Sequence, residues 1–244
     1  VGSEMCIRDR IYPVTLPYMR FVKIKEIFKK EVLSKRLKEY FKREVLFFNS
    51  GKSSLFFILK FLKEKNPSKD EVIIPAYTAP ELVLPILKAG LKVKLADINL
   101  KNFGYSLQDL ENRVTNRTLA IIIVHLFGVV QNPEEVKKEG ITLIEDFAQG
   151  FGGYFGLSKV GTLCDISFTS FLRGKNFSLG EGGVLIFKRG VFDGIPIRRK
   201  SFSFYKNVKA LIRYYGISFF SIPDIYGCLL YTSDAADEGL GVDL

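Results

Sequence analysis

Four short apolar runs, EVIIPA (71–76), KVKLAD (92–97), LAIIIVH (119–125) and TLIED (142–146), decide the fold, because each has the length and β-branched content of a strand. Between them lie stretches with helical spacing at 80–88, 106–111 and 133–138. Strand alternating with helix predicts an α/β fold, a mostly parallel sheet flanked by helices. DISFTSF (165–171) and GGVLIF (182–187) read as further strands, the second entered from a glycine turn. Ligands of such sheets gather at the carboxyl ends of the strands, where residues 75–78, 125–128 and 146–149 fall.

Upstream, apolar residues recur at Phe21, Ile24, Ile27, Phe28, Val32, Leu33, Leu37 and Phe41, the pattern of an amphipathic helix with lysines on its far face. A helix packed on the domain is the simpler reading of it than a membrane-surface helix. Residues 47–50 lead into a second helix over 52–62, apolar at Leu55, Phe56, Ile58, Leu59 and Leu62. The expected organisation is a basic helical region (11–46), a large ligand-binding domain (47–190) and the start of a continuation (191–227). The ends, 1–10 and 228–244, read as non-native: both resemble translated sequencing-adapter sequence, and the second turns abruptly acidic and small.

The chain has 244 residues, 47% of them hydrophobic and 25% charged, which suits one good core. Its formal charge of +10 concentrates at 23–43 and 188–213. Such flanks suit acidic ligands, but no zinc spacing, aromatic-basic RNA motif or helix-turn-helix pattern accompanies them, so nucleic acid is not expected. Three cysteines give neither a disulfide framework nor a metal site, and a reducing cytoplasm is the default. No stretch reaches the length of a membrane span.

Three segments carry chemistry. In ITLIEDFAQG (141–150) a carboxylate, Asp146, closes an apolar strand; in SFLRGKNFSLGEGG (170–183) Lys175 precedes a glycine turn; in NSGKSSL (49–55) glycine and hydroxyls open a helix. A carboxylate that keeps a pyridine nitrogen protonated, an amine that forms a Schiff base and a helix start that cradles phosphate are what pyridoxal phosphate requires. Gln149, three residues after Asp146, has the reach to meet the ring's phenolic oxygen, and the small Ala148 lets a ring lie flat.

Each also has a plainer reading: a helix cap for Asp146, a solvated lysine for Lys175, an ordinary serine-capped helix for NSGKSSL. Two nucleotide readings fail. A P-loop needs glycine where Leu46 stands, and GFGGYFG (150–156) has Phe155 at the third glycine of a dinucleotide fingerprint. His125 is the only histidine, no G-x-S-x-G elbow is present, and a hydrogen-bonded loop residue is its expected role.

The ordered set SGKSSL, EVIIPAYTAPELV, ILKAGLKVKLADI, VHLFG, IEDFAQGFGG, VGTLCDISFTSF and GKNFSLGEGG resembles the DegT/DnrJ/EryC1/StrS sugar aminotransferases of fold type I, over about residues 47–187. The resemblance implies a homodimer that uses pyridoxal 5'-phosphate to pass an amino group from an amino acid, usually glutamate, to a nucleotide-linked keto sugar. Lys175 matches the lysine that forms the Schiff base and Asp146 the aspartate at the pyridine nitrogen. Gln149 matches the glutamine near the phenolic oxygen, and Ser170, Gly51, Lys52 and Ser53 the phosphate positions; no metal is implied.

Lys52 stands where threonine is commoner, and Ala79 stands where the family carries the aromatic that stacks on the ring, leaving that task to Tyr77 or another residue. The family's later asparagine segment and small C-terminal domain are not recognisable. The expectation is that this chain alone is inactive, dimerises poorly and is less stable than the complete protein. The alternatives are an inactive fragment, a nonenzymatic regulatory relative, or a sugar dehydratase, a branch with histidine in place of the lysine and so opposed by Lys175.

Overall fold

The structure, a computed structural model, describes residues 30–172, 174–177 and 181–193, together with residue 216. The described residues other than 216 belong to one compact unit, Lys30–Ile195. The expectations for the leader, the first part of the basic helix, the continuation from 194 onward and the tail lie outside the described residues.

That unit runs α1 (Lys30–Phe41), β1 (Glu44–Phe48), α2 (Gly51–Lys65), β2 (Glu71–Pro75), a 3-10 turn (Pro80–Leu82), α3 (Val83–Lys88), β3 (Lys92–Ala96), α4 (Leu107–Arg113) and β4 (Thr118–Val124). A 3-10 turn (Leu126–Gly128), α5 (Pro133–Val136), β5 (Thr142–Asp146), β6 (Tyr154–Phe155), β7 (Ser158–Lys159), β8 (Ile166–Ser170) and β9 (Gly183–Phe187) follow. Seven strands form one sheet in the order β1-β9-β8-β5-β4-β2-β3, and β6 and β7 form a separate hairpin.

The pairs from β3 through β2, β4 and β5 to β8 are parallel, while β9 runs antiparallel to both β8 and β1. The sheet is thus mostly parallel with a single reversed strand. Its central strand β4, TLAIIIV, is buried at every position, as a strand covered on both faces must be.

Side-chain alternation divides the core in two. Val72, Ile74, Ala120, Ile122 and Leu185 meet Leu55, Ile58 and Leu59 of α2 and Ile86 of α3. On the other face Ile73, Ile121 and Ile123 pack with Leu110 of α4 and Val136 of α5, and Val184 and Ile186 pack with Leu37 and Phe41 of α1. At the sheet's edge β3 carries Lys92 and Lys94, the charges that discourage pairing with another chain.

Helix boundaries shift for local reasons. α2 runs to Lys65 rather than to 62 because its charged last turn still forms helix, and it stops where Asn66 folds its Nδ2 back onto the Leu62 carbonyl at 3.1 Å. The stretch at 80–88 divides into a 3-10 turn and α3, with Pro85 inside α3. α1 ends at Phe41, followed by Lys42 in the left-handed region at φ 52°. β1 was not expected: Glu44, Val45 and Leu46 pair with Phe187, Ile186 and Leu185, so the sheet begins three residues before the expected boundary at 47. Among the described residues no helix is long and apolar enough to cross a membrane.

Candidate active site

β4, β5 and β8 are neighbours; Asp146 and Ser170 end β5 and β8, Gln149 and Lys175 lie in the turns that follow, and Gly51, Lys52 and Ser53 open α2 after β1. Asp146 is the last residue of β5 and is 7% exposed. Its Oδ1 accepts the Ala148 N–H at 3.0 Å, so the turn after the strand is closed by the carboxylate itself. Burial pushes its pKa up to about 6, against the lowering effects of the Ala148 N–H and of the charges of Lys175 and His125.

Lys175 lies half-buried in the turn after β8, its N–H donating to the Leu172 carbonyl at 3.3 Å. The next residue, Asn176, donates from Nδ2 to the Gln149 carbonyl at 2.5 Å, drawing the lysine's loop onto the turn after Asp146. Gln149 is held at its other end as well, its Oε1 accepting the Phe127 N–H at 2.8 Å. Asp146, Gln149 and Lys175 therefore come together.

The helix start lies on the same side. Ser50 caps α2, its Oγ accepting the Ser53 N–H at 3.1 Å and standing 3.0 Å from Ser53 Oγ. The Ser53 amide and hydroxyl are thus already engaged within the cap, a detail the motif alone did not reveal. Gly51 lies against Ser170: a Cβ on it would stand 2.9 Å from Ser170 Cβ. Gly183 is tighter still, since a Cβ there would meet Gly51 N and the Ser50 carbonyl carbon at 2.4 Å each. Only glycine lets the start of β9 approach the cap so closely. Ser170 Oγ accepts the Leu172 N–H at 3.3 Å, and the Lys52 side chain is exposed. The structure brings Gly51 to Ser170 and Asp146 to Lys175, but gives Lys52 no inward role.

Two aromatic rings stand exposed beyond the strand ends, Tyr77 after β2 and Phe127 after β4, 56% and 62% exposed with centroids 6.3 Å apart. Phe127 adopts φ 55°, a left-handed conformation unusual for a bulky residue. Between Tyr77 and Ala79, the Thr78 hydroxyl oxygen is buried without a hydrogen-bond partner among the described residues.

Sequence reasoning missed Glu145. Its side chain points away from Asp146 by strand alternation, is wholly buried, and accepts from Gly161 N (2.5 Å), Leu163 N (3.0 Å), Cys164 N (3.3 Å), Ser167 Oγ (2.8 Å) and His125 Nε2 (3.1 Å). The only available signal was a carboxylate inside an otherwise apolar strand, which requires donors if buried. His125 is the hydrogen-bonded loop residue expected of it. No group of three or more metal-ligating side chains occurs among the described residues.

The model of the DegT/DnrJ/EryC1/StrS aminotransferase family matches residues 28–195. The chain belongs to that family. Among curated proteins it is 36% identical over 121 residues to the GDP-perosamine synthase of Escherichia coli O157:H7, covering 48% of this chain and 33% of that protein. The chain therefore spans about a third of the length of that relative.

Among solved structures, Helicobacter pylori PseC, an aminotransferase of pseudoaminic acid biosynthesis, superposes with a TM-score of 0.68 at 20% identity over 79% of this chain and 58% of PseC. The E. coli GDP-4-keto-6-deoxy-D-mannose-3-dehydratase with bound hydrated PLP gives 0.63 at 22% identity over 73% of this chain and 52% of that one. Such likenesses show the fold, which is that of the fold type I large domain.

Proposed function

We propose that this chain is the cofactor-binding part of a pyridoxal 5'-phosphate-dependent aminotransferase that carries an amino group from an amino acid, glutamate foremost, to a nucleotide-linked keto sugar. The observation that carries the reading is Asp146: a buried strand-end carboxyl pushed up to about 6, within reach of the charge of Lys175, in a member of this family. A carboxylate so placed is costly until a cation meets it, and a protonated pyridine nitrogen is such a cation.

The residues fit the cofactor at both ends. The close approach of Gly51, Ser170 and Gly183 makes a cradle that a Cβ would fill, beside the N-terminus of a 15-residue helix, where phosphate is favoured. Gly51, Lys52, Ser53 and Ser170 would hold the phosphate, with Lys52 contributing its backbone. Asp146 would hold the proton on the ring nitrogen, and Gln149 would reach the phenolic oxygen. Tyr77 and Phe127, exposed rings at the ends of β2 and β4, would take the task left open by Ala79, and the buried Thr78 hydroxyl is suited to a ligand atom.

Bound there, the cofactor supplies an aldehyde and an electron-withdrawing ring. With the cofactor bound, Lys175 Nζ would act as general base toward the donor's α-carbon proton and then, as general acid, give that proton up. Asp146 would hold the proton on the ring nitrogen. The same groups run in reverse on the keto sugar. Homodimeric assembly and a cytoplasmic setting belong to the same proposal, and the free, buried Cys164 is compatible with a reducing compartment.

The dehydratase likeness supports a second reading less well, because by the family resemblance Lys175 falls where that branch carries histidine. An absorption titration tests the proposal: pyridoxal phosphate gives a visible band that Lys175→Ala lacks, and glutamate shifts it. A band indifferent to glutamate and to every other amino donor would mean cofactor binding without amino transfer.

A further inference from the structure

The wholly buried pair of Glu145 and His125 adjoins the strand end that carries Asp146 and has no part in the roles assigned so far. His125 Nδ1 accepts the Gln131 N–H at 3.1 Å, so a neutral ring carries its proton on Nε2, which meets Glu145 Oε1 at 3.1 Å. Four other donors saturate the rest of Glu145, and Ser167 and the turn at 161–164 fix it against β8. One ring thus ties the end of β5 to residue 131 and closes the turn 125–131 on itself.

That turn is not relaxed. Phe127 is held at φ 55° and ψ 18°, which for a non-glycine residue persists only where its surroundings impose it. The same residue's N–H donates to Gln149 Oε1, 2.8 Å away. With its oxygen taken by a donor, the Gln149 amide has its orientation fixed. Its NH2 group is then the end left for a ligand, with no hydrogen-bond partner among the described residues, and a donor there suits an oxygen that carries negative charge.

We propose that His125 and Glu145 are positioning residues, which clamp the turn 125–131 so that Phe127 orients the Gln149 amide with its NH2 toward the phenolic oxygen of the cofactor. The inference rests on the pyridoxal phosphate reading. It adds that a specific chain, Glu145 to His125 to Gln131, then Phe127 to Gln149, decides how well that oxygen is held. Neither His125 nor Glu145 touches the cofactor.

A double-mutant cycle separates this role from a merely structural one. Pyridoxal phosphate affinity is measured by absorption titration for the wild type, His125→Ala, Gln149→Ala and the double variant. Losing the clamp weakens binding at least about fivefold when Gln149 is present, the effect of one lost buried hydrogen bond, and less than about twofold when Gln149 is already alanine. His125→Asn, whose side-chain oxygen can take the Gln131 N–H, retains more of the affinity than His125→Gln, which cannot reach it.

Because His125 is the only histidine, long-range proton–nitrogen correlation on the unmutated, cofactor-free chain reads its tautomer without ambiguity. This arm needs no variant to fold, and the result expected is the proton on Nε2. A proton on Nδ1, or equal weakening with and without Gln149, or no weakening, overturns the inference. Wild type that binds while His125→Ala binds equally well defeats the clamp alone. Wild type that does not bind pyridoxal phosphate defeats the cofactor reading together with it.

Discussion

Replacing Asp146 by asparagine should make the cofactor-free protein more stable at neutral pH while destroying its hold on the cofactor. Burial raises the carboxyl from its ordinary value near 3.8 to about 6, a difference of about two units, or about 3 kcal/mol at ~1.4 kcal/mol per unit. The folded state binds the proton more tightly than the unfolded chain, so stability falls as pH rises through the window between about 4 and 6 and stays low above it. Asparagine keeps the oxygen that accepts the Ala148 N–H and carries no charge.

Its advantage over the wild type should therefore be about 3 kcal/mol at pH 8, about 6–12 °C in Tm for a domain of this size, and should vanish near pH 4. Urea unfolding of both proteins without cofactor, at pH 8, 6 and 4.5, measures it directly. With pyridoxal phosphate present the order should invert, because the ligand stabilises only the protein that holds it. Equal stability at pH 8, or an asparagine advantage that grows as pH falls, would refute the argument that an uncompensated buried charge waits there for a cation.

Gly183→Ala should cost about 2–3 kcal/mol, since the added Cβ would stand 2.4 Å from two backbone atoms of the α2 cap; a lower urea midpoint with an unchanged slope checks it. Cys164 is buried, and burial with the nearby charges of Glu145 and Asp165 pushes its thiol up. It should resist alkylation in the folded protein and react fully in denaturant, as peptide mapping would report; rapid native labelling would mean that the core around β8 opens.

The sheet was legible in the sequence wherever a strand was continuous and apolar. β2 and β4 announce themselves because strands covered on both faces are apolar along most of their length, and β5 is marked by its apolar start and the carboxylates Glu145 and Asp146 that close it. β1 escaped because EVLFF has no alternation and its partner β9 lies about 140 residues away, a pairing that no local pattern encodes.

Gly51, Ser170, Asp146 and Lys175, proposed here to hold the cofactor, lie in motifs that can be read from the sequence. The Glu145–His125 hydrogen bond, the Asn176 bond to Gln149 and the capture of Ser53 within its own cap could not be read there, because each depends on which atoms face one another after folding. Ala79 shows the same limit from the other side. The sequence offers alanine where the resemblance leads one to expect an aromatic, and only the fold shows Tyr77 and Phe127 with ring centroids 6.3 Å apart.

The central claim is that Lys175 is the amine that engages pyridoxal phosphate. Incubating the chain with the cofactor, reducing with borohydride and mapping the peptides by mass tests it most directly. The account predicts a single phosphopyridoxyl label on Lys175, diminished in Asp146→Asn; label spread over the exposed lysines with none on Lys175 would contradict it.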